Sequence, residues 1–210
     1  MLCASWNNEV LTIVSKVCKQ LSDLAAPTAL LVGRCLLDGI LTSNPLESNL
    51  PILALLCDLM KHAPMKATIL TLTSPTSRAQ VKHDQKYPPV IEMMCNCLKS
   101  TSDVKIQKEI VEIFKTLCDY KLSLVQETPD LFEKQLTHSV PSKESLLIII
   151  GALIEILASA TKYSNEIVET VLNILSLLTT HNYGLYHVKS CLENKPDALK
   201  SLLDYIISGN

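Results

Sequence analysis

The chain has 210 residues, 48% of them hydrophobic and 19% charged, with a formal net charge of −2. So small a net charge excludes the whole-molecule field that gathers nucleic acid or an acidic membrane, and non-specific DNA binding is disfavoured. With 4% aromatics and 5 glycines, the core must be aliphatic, which suits helix packed on helix better than a sheet with tight turns.

Glu9 to Leu21 carries Val10, Leu11, Ile13, Val14, Val17, Cys18 and Leu21 at the i, i+3, i+4, i+7 spacing of an amphipathic helix, with Lys16, Lys19 and Gln20 on the other side. Pro27 fits the first turn of a second helix, where its missing N–H costs nothing, and that helix runs to about Leu41. After a break at Thr42 to Pro45, a third helix is expected from about Leu50 to His62, with Ile52, Leu53, Leu55, Leu56, Leu59 and Met60 on its buried face. Pro64 starts a short fourth helix ending near Leu72.

Thr71 to Pro89 departs from helical periodicity. It is polar, punctuated by prolines and long for a connection between packed helices. Arg78, Lys82 and Lys86 against Asp84 make it locally basic, and it reads as a surface insertion. Ser74, followed by Pro75, is a candidate site for a proline-directed kinase, where a phosphate among these cations would order the loop.

Helix resumes from Pro89 to Leu98. Ser102 or Thr101 is expected to cap the next, from Asp103 to Asp119, whose core side is Ile106, Ile110, Ile113, Phe114, Leu117 and Cys118. Lys105, Lys108, Glu112 and Lys115 form its charged face, read either as solvated or as a partner contact. Thr128-Pro129-Asp130 has the capping hydroxyl, proline and acid of a helix start, leading through Leu131, Phe132 and Leu136.

Two helices between Ser142 and Thr180 are apolar over most of their circumference. The first leaves a polar stripe only through Glu144, Gly151, Glu155, Ser159 and Lys162; the second, through Glu166, Glu169, Asn173, Ser176 and Thr180. Such helices must be covered on more than one side, as in the middle of a helical stack. Tyr183 to Leu192 forms one more short helix, and Pro196 opens the last, with Leu199, Leu202, Leu203 and Ile206 inward.

Chemistry-bearing motifs are scarce. The glycines are scattered and form no phosphate-cradling loop. Cys95 and Cys97, two apart on a helix, point in different directions. His181 and His187 approach Cys191 without a carboxylate or second cysteine to complete a metal site. Most of the eight cysteines, among them Cys18, Cys35, Cys57, Cys118 and Cys191, lie beside leucines as small hydrophobes, which implies a reducing compartment. No catalytic residue, cofactor or metal is expected. Met1 to Trp6 lacks the basic start of a signal peptide. The longest apolar run, Leu146 to Ala158, is interrupted by Glu155 and falls short of the roughly 20 residues a membrane span needs. The expectation is an intracellular protein, cytoplasmic or nuclear, without membrane insertion.

Leu55 to His62, Ile113 to Tyr120 and Ile174 to His181 look alike when superposed, their matched leucines Leu59, Leu117 and Leu178 lying 58 and then 61 residues apart. The ending Leu177-Leu-Thr-Thr-His-Asn-Tyr-Gly-Leu-Tyr-His-Val188, followed by Cys191-Leu-Glu-Asn and Asp197 to Leu203, resembles armadillo-repeat proteins. That resemblance implies an all-α fold, an irregular armadillo/HEAT-like α-solenoid of about ten to twelve helices, with Asn173 on a groove that holds partner segments. The expected function is a protein-interaction scaffold or adaptor with protein partners. Its candidate contacts are Lys105, Lys108, Glu112 and Lys115 on one helix and Glu169, Asn173, Ser176 and Thr180 on another. Homodimerisation through an uncapped end is a further expectation, as are additional repeats elsewhere in a longer protein. The alternatives are a nucleic-acid-associated subunit of a nuclear complex, touching phosphate through Lys99, Lys105, Lys108 and Lys115, and a helical enzyme.

Overall fold

The computed structural model describes residues 8–42, 50–74, 87, 89–120 and 140–207. Among these are ten α-helices and no strand: α1 (Asn8–Leu24), α2 (Ala26–Thr42), α3 (Leu50–Met60), α4 (Ala63–Thr73), α5 (Pro89–Ser100), α6 (Val104–Cys118), α7 (Lys143–Ala158), α8 (Asn165–Thr179), α9 (Asn182–Glu193) and α10 (Pro196–Ile207). A 3-10 turn, Ala160–Lys162, follows α7. The helix expected after Thr128 and most of the polar stretch before Pro89 lie outside the described residues. At the edges of that stretch, Thr71 to Thr73 belong to α4 and Tyr87 is buried.

Local chemistry sets the boundaries. The side chains of Ser142 and Ser164 accept hydrogen bonds from the backbone N–H groups of Ser145 and Ile167, capping α7 and α8. Neither Ser102 nor Thr101 caps α6: the Asp103 carboxylate accepts from the Lys105 N–H at 2.8 Å. Asp103 combines the cap with a negative charge at the positive end of the helix dipole. Buried Thr101 braces the turn instead, its Oγ1 accepting from the Asp103 N–H at 3.1 Å and its carbonyl from Gln107 Nε2 at 2.9 Å.

The helices pack in successive neighbours. α3 packs on α6 and α6 on α8; alongside them α5 packs on α7 and α7 on α10. Lys108, early in α6, pairs with Glu166, early in α8, while Tyr120 and His181, each just past its helix, meet edge to face at 4.2 Å. Contacts at both ends make α6 and α8 run in the same direction. The same holds for α5 and α7, where Cys95 Sγ reaches the Ile148 carbonyl at 3.9 Å and Lys99 the Glu155 carboxylate at 3.0 Å. A three-helix arrangement recurs: short α4 folds back on α2 and α3, and short α9 folds back on α7 and α8. Gly184 makes the second return tight, because a Cβ there would lie 2.1 Å from the Leu178 carbonyl oxygen.

The core runs through the helices from α2 to α10, where Ala198 joins it. Ile106, Ile110, Ile113, Phe114, Leu117 and Cys118 are buried as expected. The first and last helices differ in part from expectation. Leu11, Val14 and Cys18 of α1 pack against the core beside Ser15, Lys19 and Ser22, whereas Val10, Ile13, Val17 and Leu21 face outward, and so do Leu199 and Leu203 of α10. The side chains of Leu202 and Ile206 lie outside the described residues. Cys35 is exposed.

Candidate functional site

Lys105, Lys108, Glu112 and Lys115 recur every three or four residues, which puts them on one side of α6. Glu169, Asn173, Ser176 and Thr180 do the same on α8. These two helices pack together in the same direction, and the Lys108–Glu166 ion pair joins the two stripes near their N-termini. Lys108 and Glu112 are half-buried and the other six are exposed. Within α6, Lys115 Nζ sits 3.1 Å from Glu112 Oε1.

The polar surface continues towards α3. Half-buried Glu109 has its carboxyl pushed up by burial; the Lys61 ammonium opposes that rise and Glu112 adds to it. Asp58 of α3 accepts from Ser15 Oγ at 2.5 Å and from Lys19 Nζ at 2.8 Å. Burial is the largest single effect and raises its carboxyl, but the two hydrogen bonds together with the charges of Lys19 and Lys61 outweigh it and bring the carboxyl below its ordinary value. Asp58, Lys61, Glu109 and Glu166 were not among the site residues named from sequence. Each acts across a helix boundary, so only Glu166, already on the polar stripe of its own helix, carried a local signal.

Of the lysines named for the nucleic-acid alternative, Lys99 is paired with Glu155, Lys108 with Glu166 and Lys115 with Glu112. A cation already matched to a carboxylate contributes little to a phosphate-attracting field. Glu155 also holds Lys195, at the start of α10; the Lys195 hydrogen bond is the largest cause of its lowered pKa, with Lys99 adding to it against the effect of burial.

Burial pushes the thiols of Cys57, Cys95 and Cys118 up to about 12, which leaves them protonated and unreactive. Cys95 and Cys97 are both buried. His181 meets Tyr120 edge to face, whereas buried His187 makes edge-to-face contacts with Tyr183 and Tyr186. Among the described residues no group of three or more His, Cys, Asp and Glu side chains could hold a metal, and no helix is long and apolar enough to cross a membrane. Ser74 is the C-cap of α4. A phosphate there would face the negative end of the helix dipole and loosen the last turn.

No family model matches the sequence. The similarity is to virilizer proteins. The chain is 33% identical over 214 residues to the protein virilizer homolog of Mus musculus and 33% identical over 216 residues to that of Homo sapiens. Each alignment covers 93% of this chain and 12% of the relative. Protein virilizer of Drosophila melanogaster is 23% identical over 208 residues, 94% of this chain and 10% of the relative. Similarity to virilizer therefore extends through the helical stack and is not confined to one motif, and the chain spans about an eighth of the two mammalian relatives' length.

Proposed function

We propose that this chain is a virilizer-like interaction module, a non-enzymatic armadillo-like α-solenoid that holds protein partners on the joined polar face of α6 and α8. The observation that carries the reading is that α6 and α8 pack in the same direction, with Lys108 of one polar stripe paired to Glu166 of the other. The recurrence of a helix that folds back on the two before it, α4 on α2 and α3 and α9 on α7 and α8, supports the solenoid. In this reading the chain serves as a scaffold or adaptor in a nuclear or cytoplasmic assembly. The ion-paired lysines favour protein over nucleic acid as the partner.

The test is capture from nuclear and cytoplasmic extracts on immobilised chain, comparing the parent with a variant carrying Glu112→Ala, Lys115→Ala, Glu169→Ala and Asn173→Ala. These positions are exposed or half-buried, so the fold is expected to survive, checked by helical circular dichroism. Loss of specific proteins from the variant is the expected result. An unchanged set of captured proteins refutes the α6–α8 assignment. Capture of nucleic acid that weakens steeply as salt rises refutes the preference for a protein partner.

A further inference from the structure

α1 turns only part of its apolar surface inward. Leu11, Val14 and Cys18 pack against the core beside buried Ser15 and Ser22, which are fastened to Asp58 and to Met65, with Ser22 Oγ 2.9 Å from the Met65 sulfur. Asp23 Oδ1 also lies 3.0 Å from His62 Nε2. Outward it presents Val10, Ile13, Val17, Leu21 and Leu24, between 39% and 78% exposed. At 3.6 residues per turn these five fall within an arc of roughly 80°, a continuous apolar seam.

We infer that this seam is a homodimer contact, in which α1 of a second copy packs antiparallel about a two-fold axis through Val17. The spacing of the seam carries the assignment: successive apolar residues lie three, four, four and three apart, the same read in either direction. Antiparallel pairing therefore sets Val17 against its own copy, Ile13 against Leu21 and Val10 against Leu24. Every apolar position meets an apolar position, the self-complementarity that a two-fold interface requires. A single helix seam is smaller than the ~800 Å² per partner of a standard interface, so the dimer is weak and concentration-dependent. Charge opposes it: Lys16 flanks the axis and meets its own copy, and Glu9 meets Asp23 of the second copy. Salt screens both repulsions and tightens the pair. The inference does not depend on the α6–α8 reading.

Sedimentation of the 210-residue chain from about 1 to 200 μM tests it, at low and at high salt. Expected are a monomer–dimer equilibrium favoured by salt, loss of the dimer in Ile13→Glu and in Val17→Glu, and retention in Leu199→Glu, which places a charge on the exposed face of α10. All three positions are exposed, and circular dichroism verifies that each variant is folded. A parent that stays monomeric throughout, a dimer that survives Ile13→Glu and Val17→Glu, or one abolished by Leu199→Glu overturns the assignment.

Discussion

Lys66 offers the sharpest test of the packing. It is 1% exposed on α4, and its Nζ donates to the backbone carbonyl of Asp119, past the end of α6. Burial lowers its pKa from 10.5 to about 8, against the smaller upward effects of Asp119 and Cys118. At ~1.36 kcal/mol per pKa unit that difference amounts to roughly 3 kcal/mol. Between pH 8 and 10.5 the unfolded chain keeps a proton that the folded chain has released, so this lysine makes stability rise with pH across that window. Below pH 8 both states are protonated and the contribution is flat. Three thiols act in the opposite sense: Cys57, Cys95 and Cys118 stay protonated in the fold to about 12 but titrate at 9.0 when unfolded, so stability falls with pH above 9. Lys66→Met separates the two effects. The thiol contribution is common to both proteins, and the stability of the variant relative to the parent should decline by about 3 kcal/mol between pH 7.5 and 10.5. Urea unfolding of both proteins at half-unit pH intervals, under reducing conditions and at fixed salt, measures that difference. If it stays constant within ~0.5 kcal/mol, Lys66 is not held charged in a buried site and its packing against α6 is wrong.

Gly184→Ala drives a Cβ into the Leu178 carbonyl, and overpacking against backbone should cost about 1–3 kcal/mol or more; a melting temperature within 2 °C of the parent's contradicts the close approach of α9 to α8. Phe114→Ala empties a fully buried position on the helix between α3 and α8 and should cost roughly 3–5 kcal/mol by chemical denaturation, whereas less than ~1 kcal/mol would mean that this row of helices is not close-packed. Glu155→Gln unties Lys99 and Lys195, both partly exposed, so the loss of global stability is at most about 1 kcal/mol; hydrogen exchange should quicken in α10 and not in α6, and equal protection of α10 in both proteins rules out the tether. Burial, with Lys143 adding, holds the His187 pKa below 6.5, so the unfolded state binds the proton first and stability should drop as pH falls through and below 6.5, a dependence that must be smaller in His187→Gln.

Much of the helical order was legible from sequence because it rests on local chemistry. Pro27, Pro51, Pro64 and Pro196 each sit in a first helical turn, Ser142 caps its helix, and the near-continuous apolar surface of α7 and α8 is matched by neighbours on several sides. The polar stripe of α8 was also readable, since Glu166, Glu169, Asn173, Ser176 and Thr180 are all exposed. What sequence could not supply was how much of the apolar side of α1 turns inward: Leu11, Val14 and Cys18 pack against the core, while Val10, Ile13, Val17 and Leu21 stay exposed. Periodicity identifies an apolar side, and the usual inference that this side is buried holds for only part of it when a helix is rotated by polar partners elsewhere in the chain. Asp58, 43 residues from Ser15 and 39 from Lys19, is such a partner, and nothing within α1 announces it. The cap of α6 was misassigned for a different reason: Thr101, Ser102 and Asp103 are all competent acceptors, and the choice among them depends on Thr101 being buried and engaged by Gln107.

The three look-alike segments gain a physical explanation from the packing. Leu59, Leu117 and Leu178 lie on α3, α6 and α8, the helices that stack consecutively. Each of these helices is followed closely by a turn, at His62, Tyr120 and His181, where the chain leaves the row. His62 and His181 are the extended residues just ahead of the short returning helices α4 and α9. A residue pattern recurs because the surroundings recur: each helix in the row must present apolar residues to a like helix beside it and to the long helix preceding it in the chain. The 58- and 61-residue intervals exceed the roughly 40 to 47 of a regular array because of what separates the helices. The first interval spans α4, the polar stretch and α5; the second spans residues 121–139 and α7. The contacts of α3 with α6 and of α6 with α8 are present despite these unequal intervals, so the row tolerates an irregular period.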